Sequence, residues 1–471
     1  MASVSSLGVG SGLDAEGIIS ALMSTERRPL QLMQTEASTL SSKISVWGTI
    51  SSHVSALQDA AQDLASVSIW NKLKASSSNA TALTVSSDSS AAAGRHSVSI
   101  SQLATGQTVS SPSVKPATTP IGAGTLTLEL GSWSGNTFTG SGTSKNVTVD
   151  ADDTLANIRD KINAAGAGVT ASVVTDASGD RLVLRSNGTG ETSGFRLSAT
   201  EDADDGDPDT GLSMLGFTAT DGSSPMDLAQ AAQNAKLKID GIDISSASNT
   251  VTGALEGVTL ELHEATTTAA EVLVETDTAE ITKSIDSFIS SFNTLMGYLK
   301  TQTKYDEATK KAATLQGDSA AVGLVSQMRN LLNEEFTGGG LYSRLSDIGI
   351  EMNKDGTLKK STTGIEDALT HLDDLEKLFG ADGTGSTASQ GFMQRFDDWA
   401  GRVLGTEGTV ESRKGGLQAT LDRNEDRQDA METRLEQTEK RLRAQYEALD
   451  QMMAKLNGTS SYVSQMISGL G

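Results

Sequence analysis

Between residues 417 and 456 apolar side chains recur at alternating steps of three and four, a period that only a long helix turns into one continuous face. One heptad row reads Leu421, Gln428, Leu435, Leu442, Leu449 and Leu456; the other reads Leu417, Asn424, Met431, Thr438, Gln445 and Met452. The first row is leucine-rich and the second partly polar. That lowers self-association as a free coiled coil and predicts a helix packed in a mixed bundle. About 40 residues rising 1.5 Å each make a rod of roughly 60 Å. Gly458 is expected to end it, and a terminal stripe of Tyr462, Val463, Met466, Ile467 and Leu470 follows.

Helical spacing also opens the chain. In SSLGVGSGLD, residues 5–14, glycines stand at 8, 10 and 12. A dinucleotide loop needs G-x-G-x-x-G between a strand and a helix, and a P-loop needs G-x-x-x-x-G-K-[ST]; neither is present, so these glycines read as a tether. Asp14 is placed to cap a helix with Ile18, Ile19, Leu22 and Met23 on one face. Pro29 interrupts, and Leu40, Ile44, Trp47, Ile50, Val54, Leu57, Ala61 and Leu64 then mark a long amphipathic helix. The period returns after Asp277, which with Glu280 forms a capping pair, in the wide stripe Ile281, Ile285, Phe288, Ile289, Phe292, Leu295, Met296 and Leu299. MRNLLNEEF adds a shorter helix.

From about residue 75 the sequence turns to Ser, Thr, Ala and Gly, and the period falls to two. ALTVSS, RHSVSISQLA, TLTLELG, NVTVD, LKIDGIDISS and GVTLELHEA read as strands, and SSPSVKPATTPIGAG as a linker between modules. In DDTLANIRDKINAAGAGVTASVVTDASGDRLVLRS, Asp153 can cap a helix whose inner face carries Leu155, Ile158 and Ile162 and which stops at Gly166. A hairpin, VTASVV and RLVLRS about the turn DASGD, comes next.

Several function classes drop out. A net charge of −23 opposes binding to nucleic acid or anionic lipid, and the lack of cysteine removes disulfides and thiol chemistry. No conventional secretory signal opens the chain and no window suits a membrane span, so it is expected to be cytosolic or exported without a cleaved signal. Only 37% of residues are hydrophobic and 4% aromatic, lean for a compact enzyme and suited to an elongated multi-module protein. The histidines at 53, 96, 263 and 371 are scattered, His263-Glu264 lacks a second histidine at 267, and no G-x-S-x-G elbow occurs. The acidic run 201–209 offers Gly206 and Asp207 in the reverse of the order a calcium loop needs from Asp202, so it reads as a solvated loop. No catalytic residue, cofactor or metal site is assigned.

These residues also carry a family resemblance. GVGSGLDAEGIISALMSTERRPLQLM resembles the N-terminal signature of the flagellar filament cap family, FliD or hook-associated protein 2, and TLANIRDKINAAGAGVTASVV resembles the flagellin hook IN motif. KIDGIDISSASNTVTGALEGVTLELHEA, ITKSIDSFISSFNTLMGYLKTQTKYD and IGIEMNKDGTLKKS are similar to that family's C-terminal region, with 185–229 the least matched part. The fold implied is multidomain α+β: an antiparallel helical coiled-coil stalk formed by both chain ends, with inserted β-rich head domains. Residues 1–42 form an N-terminal docking segment pairing with the C-terminal docking segment 441–471, and 43–75 a stalk helix packing with 276–440. Residues 76–110 and 230–275 are two parts of one β head domain, and 111–229 an inserted outer domain with the IN-like motif.

The resemblance implies a structural, non-enzymatic cap at the distal filament end that assists flagellin folding and polymerisation and prevents loss of exported subunits. Leu13, Ile18, Ile19, Leu22 and Met23 at one tip, and Val463, Met466, Ile467 and Leu470 at the other, would dock on the filament. Apolar stripes too short to stabilise isolated helices lead further to the expectation that both segments fold only on docking. The implied partners are further copies in a ring, commonly pentameric, flagellin and the filament tip, hook-associated junction proteins before filament growth, and an export chaperone at the C-terminal region. Nucleic acid and membrane insertion are not implied. Export through the flagellar channel would place the protein outside the cell at the flagellar tip. Two other readings fit: an adhesin whose β head binds host glycans or mucin, and a junction protein between hook and filament.

Overall fold

The computed structural model describes residues 13–308, 310–383 and 386–468. Two compact units form, one from the chain up to Trp70 together with Thr278 onward, the other from Asn71 to Asp277. The first is helical and built from both ends of the chain; the second is β-rich. The multidomain α+β class follows directly.

In the helical unit α1 (Ala15–Glu26), α2 (Arg28–Ala65) and α3 (Val67–Trp70) precede the insertion. After it come α5 (Thr278–Thr303), α6 (Ser319–Asn333), α7 (Thr362–Ala368), α8 (Leu372–Gly380), α9 (Phe392–Leu404) and α10 (Thr409–Ser468). Asp14 caps α1 by accepting the Gly17 N–H at 2.9 Å. Pro29, at the first turn of α2, brings no backbone donor, so the helix is interrupted there and restarts. The rows read from sequence on α2 and α5 meet in the main core, where α9 joins them. Phe396 of α9 lies edge-on to Phe288 and Phe292 of α5, with ring centroids 5.2 and 6.0 Å apart. Trp70 stacks on Phe379 of α8 at 5.6 Å and donates its ring N–H to the Leu64 carbonyl at 3.0 Å.

The long helix α10 does not end at Gly458 but runs 60 residues to Ser468. A C-terminal stop needs a left-handed backbone, and Gly458 does not adopt positive φ. A helical glycine then costs only about 1 kcal/mol relative to alanine.

The β-rich unit has two cores. The first lies between a five-stranded sheet and a three-stranded one. The larger sheet runs β1 (Leu73–Ser77), β15 (Ala270–Thr276), β3 (Gly94–Gln102), β11 (Ala235–Ile239), β12 (Ile242–Ser246); the smaller runs β13 (Thr250–Leu255), β14 (Val258–Leu262), β2 (Leu83–Ser87). Leu83, Val98, Ile100, Leu237, Leu260 and Val272 fill the space between them. The second core joins the sheet β10 (Asp227–Gln230), β4 (Thr108–Ser110), β8 (Gly179–Ser186), β7 (Val169–Asp176) to the sheet β6 (Thr137–Val149), β5 (Gly124–Ser134), β9 (Gly194–Glu201) and to α4 (Leu155–Ala165).

Several sequence expectations are corrected. Residues 73–75, read as the end of a stalk helix, belong to β1 and pair with β15. β4, assigned to the first part of the inner head domain, pairs with β8 and lies in the outer core. The stretch read as a linker is packed: Val114 bridges to Asp180 and is buried with Ile121 in the second core. Asp153 does not cap α4. Thr154 holds that position, with Asn157 accepting from its N–H and hydroxyl, while Asp153 takes the Asp150 N–H at 2.7 Å and an ion pair from Lys161. Burial alone would raise the Asp153 carboxyl, but the Lys161 ammonium and the Asp150 N–H hold it below its ordinary value.

Candidate docking interface

Helix α10 pairs antiparallel with α2 and then with α1. The pairing has a polar layer where the second heptad row turns polar. Asn424 is fully buried, donates to Glu36 at 2.8 Å and accepts from Gln428 at 2.6 Å. Farther along α10, Arg443 reaches Glu16 of α1 through two N–H donors at 2.8 and 2.7 Å and bonds Glu439 at 3.1 Å. The Arg443 hydrogen bond holds the Glu16 carboxyl below its ordinary range, and Glu16 and Glu439 raise the guanidinium in return.

The apolar content of this contact is small. Ile19, Met23 and Leu435 form a separate buried cluster, with Leu30, Met431, Leu442 and Tyr446 packed around it. A cleft of about 360 Å³ opens beside it, lined by Ile19 and Met23 and by polar residues including Ser20, Gln31, Glu439 and Arg443.

This geometry divides the residues assigned to docking. Ile19 and Met23 are 2% and 4% exposed, sheltered by α10 within the same chain. Leu13, Ile18 and Leu22 are exposed, as are Val463, Met466 and Ile467. Leu470 and the glycines at 8, 10 and 12 lie outside the described residues. The described part of the N-terminal segment meets α10 from about 424 to 446 rather than along 441–471, because Glu36 takes the Asn424 amide and Glu16 pairs with Arg443, which fixes the register. Over the described residues both segments are already helical in the single chain, where the sequence reading has them fold only on docking.

Other residues join the open surface. Leu449, Met452, Leu456 and Tyr462 are exposed on α10, and Leu32 on α2. The heptad rows contain 449, 452 and 456, but spacing alone says nothing of where a covering helix begins. α1 begins at Ala15 with Glu16 opposite Arg443, and Leu449, Met452 and Leu456 lie beyond that point, exposed. No helix among the described residues is long and apolar enough to cross a membrane.

The histidines do not converge. His53 packs edge-on to Tyr298, His96 pairs with Asp240 at 2.8 Å, His263 contacts the Thr84 hydroxyl at 3.0 Å and His371 the Thr370 hydroxyl at 2.9 Å. In the acidic loop, Glu201, Asp204 and Asp205 come close together, yet Glu201 already accepts the Ser213 N–H and Asp205 the Asp207 N–H and Thr210 hydroxyl.

Residues 11–107 match the family profile described as flagellar hook-associated protein 2 N-terminus, residues 232–458 the corresponding C-terminus, and residues 137–188 the flagellin hook IN motif. The chain is 30% identical over 441 residues to flagellar hook-associated protein 2 of Escherichia coli (strain K12), covering 90% of this chain and 89% of that protein. It is 31% identical over 436 residues to the A-type flagellar hook-associated protein 2 of Pseudomonas aeruginosa, covering 88% and 87%. The fold is similar to the crystal structure of the flagellar cap protein FliD D1-D2-D3 domains from Escherichia coli, at 27% identity and a TM-score of 0.57, covering 79% of this chain and 99% of that one. Similarity that runs through the helices at both ends and through the β-rich insert leads to one conclusion: the chain belongs to the flagellar hook-associated protein 2 family, the cap proteins of the bacterial flagellum.

Proposed function

We propose that this protein caps the distal end of a flagellar filament and docks there through the apolar strip at the free end of α10, flanked by the open face of α1. One observation carries the reading: the heptad rows of α10 continue past Leu449 with large apolar side chains exposed. Strips of this kind on a water-soluble surface mark sites of association. Family membership across both helical ends favours the cap over the adhesin and junction readings.

The energetics suit a cap that must hold and yet move. Leu13, Ile18, Leu22, Val463, Met466 and Ile467 are 37% to 68% exposed. Burying what remains contributes about 1 kcal/mol each, roughly 6 kcal/mol per copy, against association costs of about 4–15 kcal/mol. One copy alone binds marginally. Several copies in a ring, commonly five in this family, bind through multivalency, and one can let go while the others hold as flagellin is inserted beneath. The remaining partners are junction proteins before filament growth and an export chaperone at the C-terminal region, and the route outward is the flagellar channel without a cleaved signal.

Deleting residues 458–471 tests this. The variant should lose capping of filaments in a complementation assay while the β-rich unit keeps its melting transition. Normal filament growth with the deletion overturns the docking reading.

A further inference from the structure

Methionine is distributed unevenly over this molecule. Met296, Met328 and Met393 are fully buried, Met226 is 1% exposed and Met23 4% exposed. Among the described residues the exposed methionines are Met452 and Met466, at 63% and 53%. Both stand on the free end of α10. They are 14 residues apart, two heptads, so they share one row of the helix and lie roughly 21 Å from each other along it. Leu449, Leu456, Val463 and Ile467 surround them on the same strip.

We propose that Met452 and Met466 form an oxidation-sensitive site whose substrate is a hydroperoxide, hydrogen peroxide being the simplest, and that their oxidation releases the cap from its seat. The inference rests on the docking role of the α10 strip. A thioether suits such a strip because it is apolar, unbranched and able to adapt to an irregular partner surface. The same sulfur is nucleophilic. Its lone pair attacks one peroxide oxygen, the S–O bond forms as the O–O bond breaks, and proton transfer converts the departing oxygen to water. Sulfur loses two electrons and peroxide gains them, so each event consumes one peroxide and needs no other reactant. The product is a sulfoxide: polar, chiral and a strong hydrogen-bond acceptor. At the centre of an apolar contact that acceptor is buried unpaired, which weakens association on the order of tenfold to a hundredfold for each site.

Location makes the reaction selective. Met296, Met328 and Met393 are screened from solvent and hold the fold, Met33, Met214, Met352, Met431 and Met453 are half-buried and less accessible than the open pair, and the two open ones sit where a polar group harms docking and little else. Peroxide therefore switches off attachment without unfolding the protein.

The test uses the full-length protein, a graded series of hydrogen peroxide, and filaments sheared from the same bacterium as the docking surface. Peptide mass spectrometry should find Met452 and Met466 oxidised at least tenfold faster than Met296, Met328 and Met393, with the melting temperature unchanged. Retention on filament ends, counted by electron microscopy, should fall at least tenfold in step. Retention of the double variant Met452→Leu, Met466→Leu, taken relative to its own peroxide-free level, should not change with peroxide, and Met452→Gln, Met466→Gln should dock poorly without it. Uniform oxidation, full oxidation with docking intact, or equal peroxide sensitivity in the leucine variant overturns the inference while leaving the docking reading in place. Normal docking by the 458–471 deletion overturns the reading itself.

Discussion

Replacing Ile19 by alanine should free α1 without disturbing the rest of the helical unit. Ile19 is 2% exposed, and its cluster holds two further buried side chains, Met23 and Leu435. Truncating a buried isoleucine costs about 2–5 kcal/mol. The low end applies here, because the cluster borders a cleft of about 360 Å³ that water can enter, so little empty volume is left behind. A loss of about 2 kcal/mol multiplies the population of locally opened α1 roughly 30-fold. Hydrogen exchange read by mass spectrometry separates the two parts of the chain. Peptides covering 15–26 should lose about 30-fold in protection, whereas Trp47, Ile50, Val54 and Leu57 belong to the main core and their segment should keep its own. Unchanged protection over 15–26 would mean that something else holds α1. An equal loss over 47–64 would mean that α1 is not a separate unit. Either result refutes the reasoning.

Two further tests address the polar contacts of the same seam. Glu16 has its carboxyl lowered from an ordinary value of 4.5 by the Arg443 hydrogen bond. Its contribution is therefore complete above that value and disappears as pH falls through the lowered folded value. A fluorophore on Thr25→Cys, unambiguous in a chain without cysteine, should report α1 loosening at acid pH, and Glu16→Gln should loosen it at neutral pH and flatten the profile. Asn424→Ala removes the fully buried amide of this layer; the exposed Glu36 carboxylate and half-buried Gln428 amide it leaves can turn to water, so stability should fall by only about 1 kcal/mol, read as a reduced urea midpoint at unchanged slope.

The helical rows were legible because burial on a helix repeats with the backbone. Every apolar residue read on the α5 face, from Ile281 to Leu299, is buried. Features set by a single hydrogen bond were not. Asp153 and Thr154 are both good capping residues, and the choice between them follows from Lys161, which draws Asp153 away. The strand β15 escaped notice although Ala270, Val272 and Val274 alternate inward, because the preceding TTTAA run blurs the period. Packing of the proline-rich stretch depends on Val114 finding Asp180, a pairing that local composition does not encode. The docking face was half legible for a related reason. The residues that make an apolar row stand in the sequence; the length of row that stays open is decided by a contact between Glu16 and Arg443, 427 positions apart.

That contact is one of several that hold α10 in a single register, and the register sets how far its open end projects. Moving α10 by one heptad along α1 and α2 is a shift of about 10.5 Å. It would bring Leu449 toward cover and gain apolar burial, so the sequence alone gives no reason against it. The polar layer supplies one. Arg443 would leave Glu16, Arg427 would leave Glu36, and the fully buried Asn424 would lose the carboxylate it donates to. The exposed ion pairs contribute little individually, but a buried amide stripped of its partner costs about 1–3 kcal/mol, and a buried asparagine in a heptad core acts against every register but one. The segment from Leu449 to Ser468 thus stays beyond the Glu16–Arg443 contact at a set length of about 30 Å, already helical. A strip projected in this way docks with less conformational entropy to lose than a disordered tip would. The polar residues that weaken the coiled coil are therefore the ones that keep its apolar end open and preorganised for a partner.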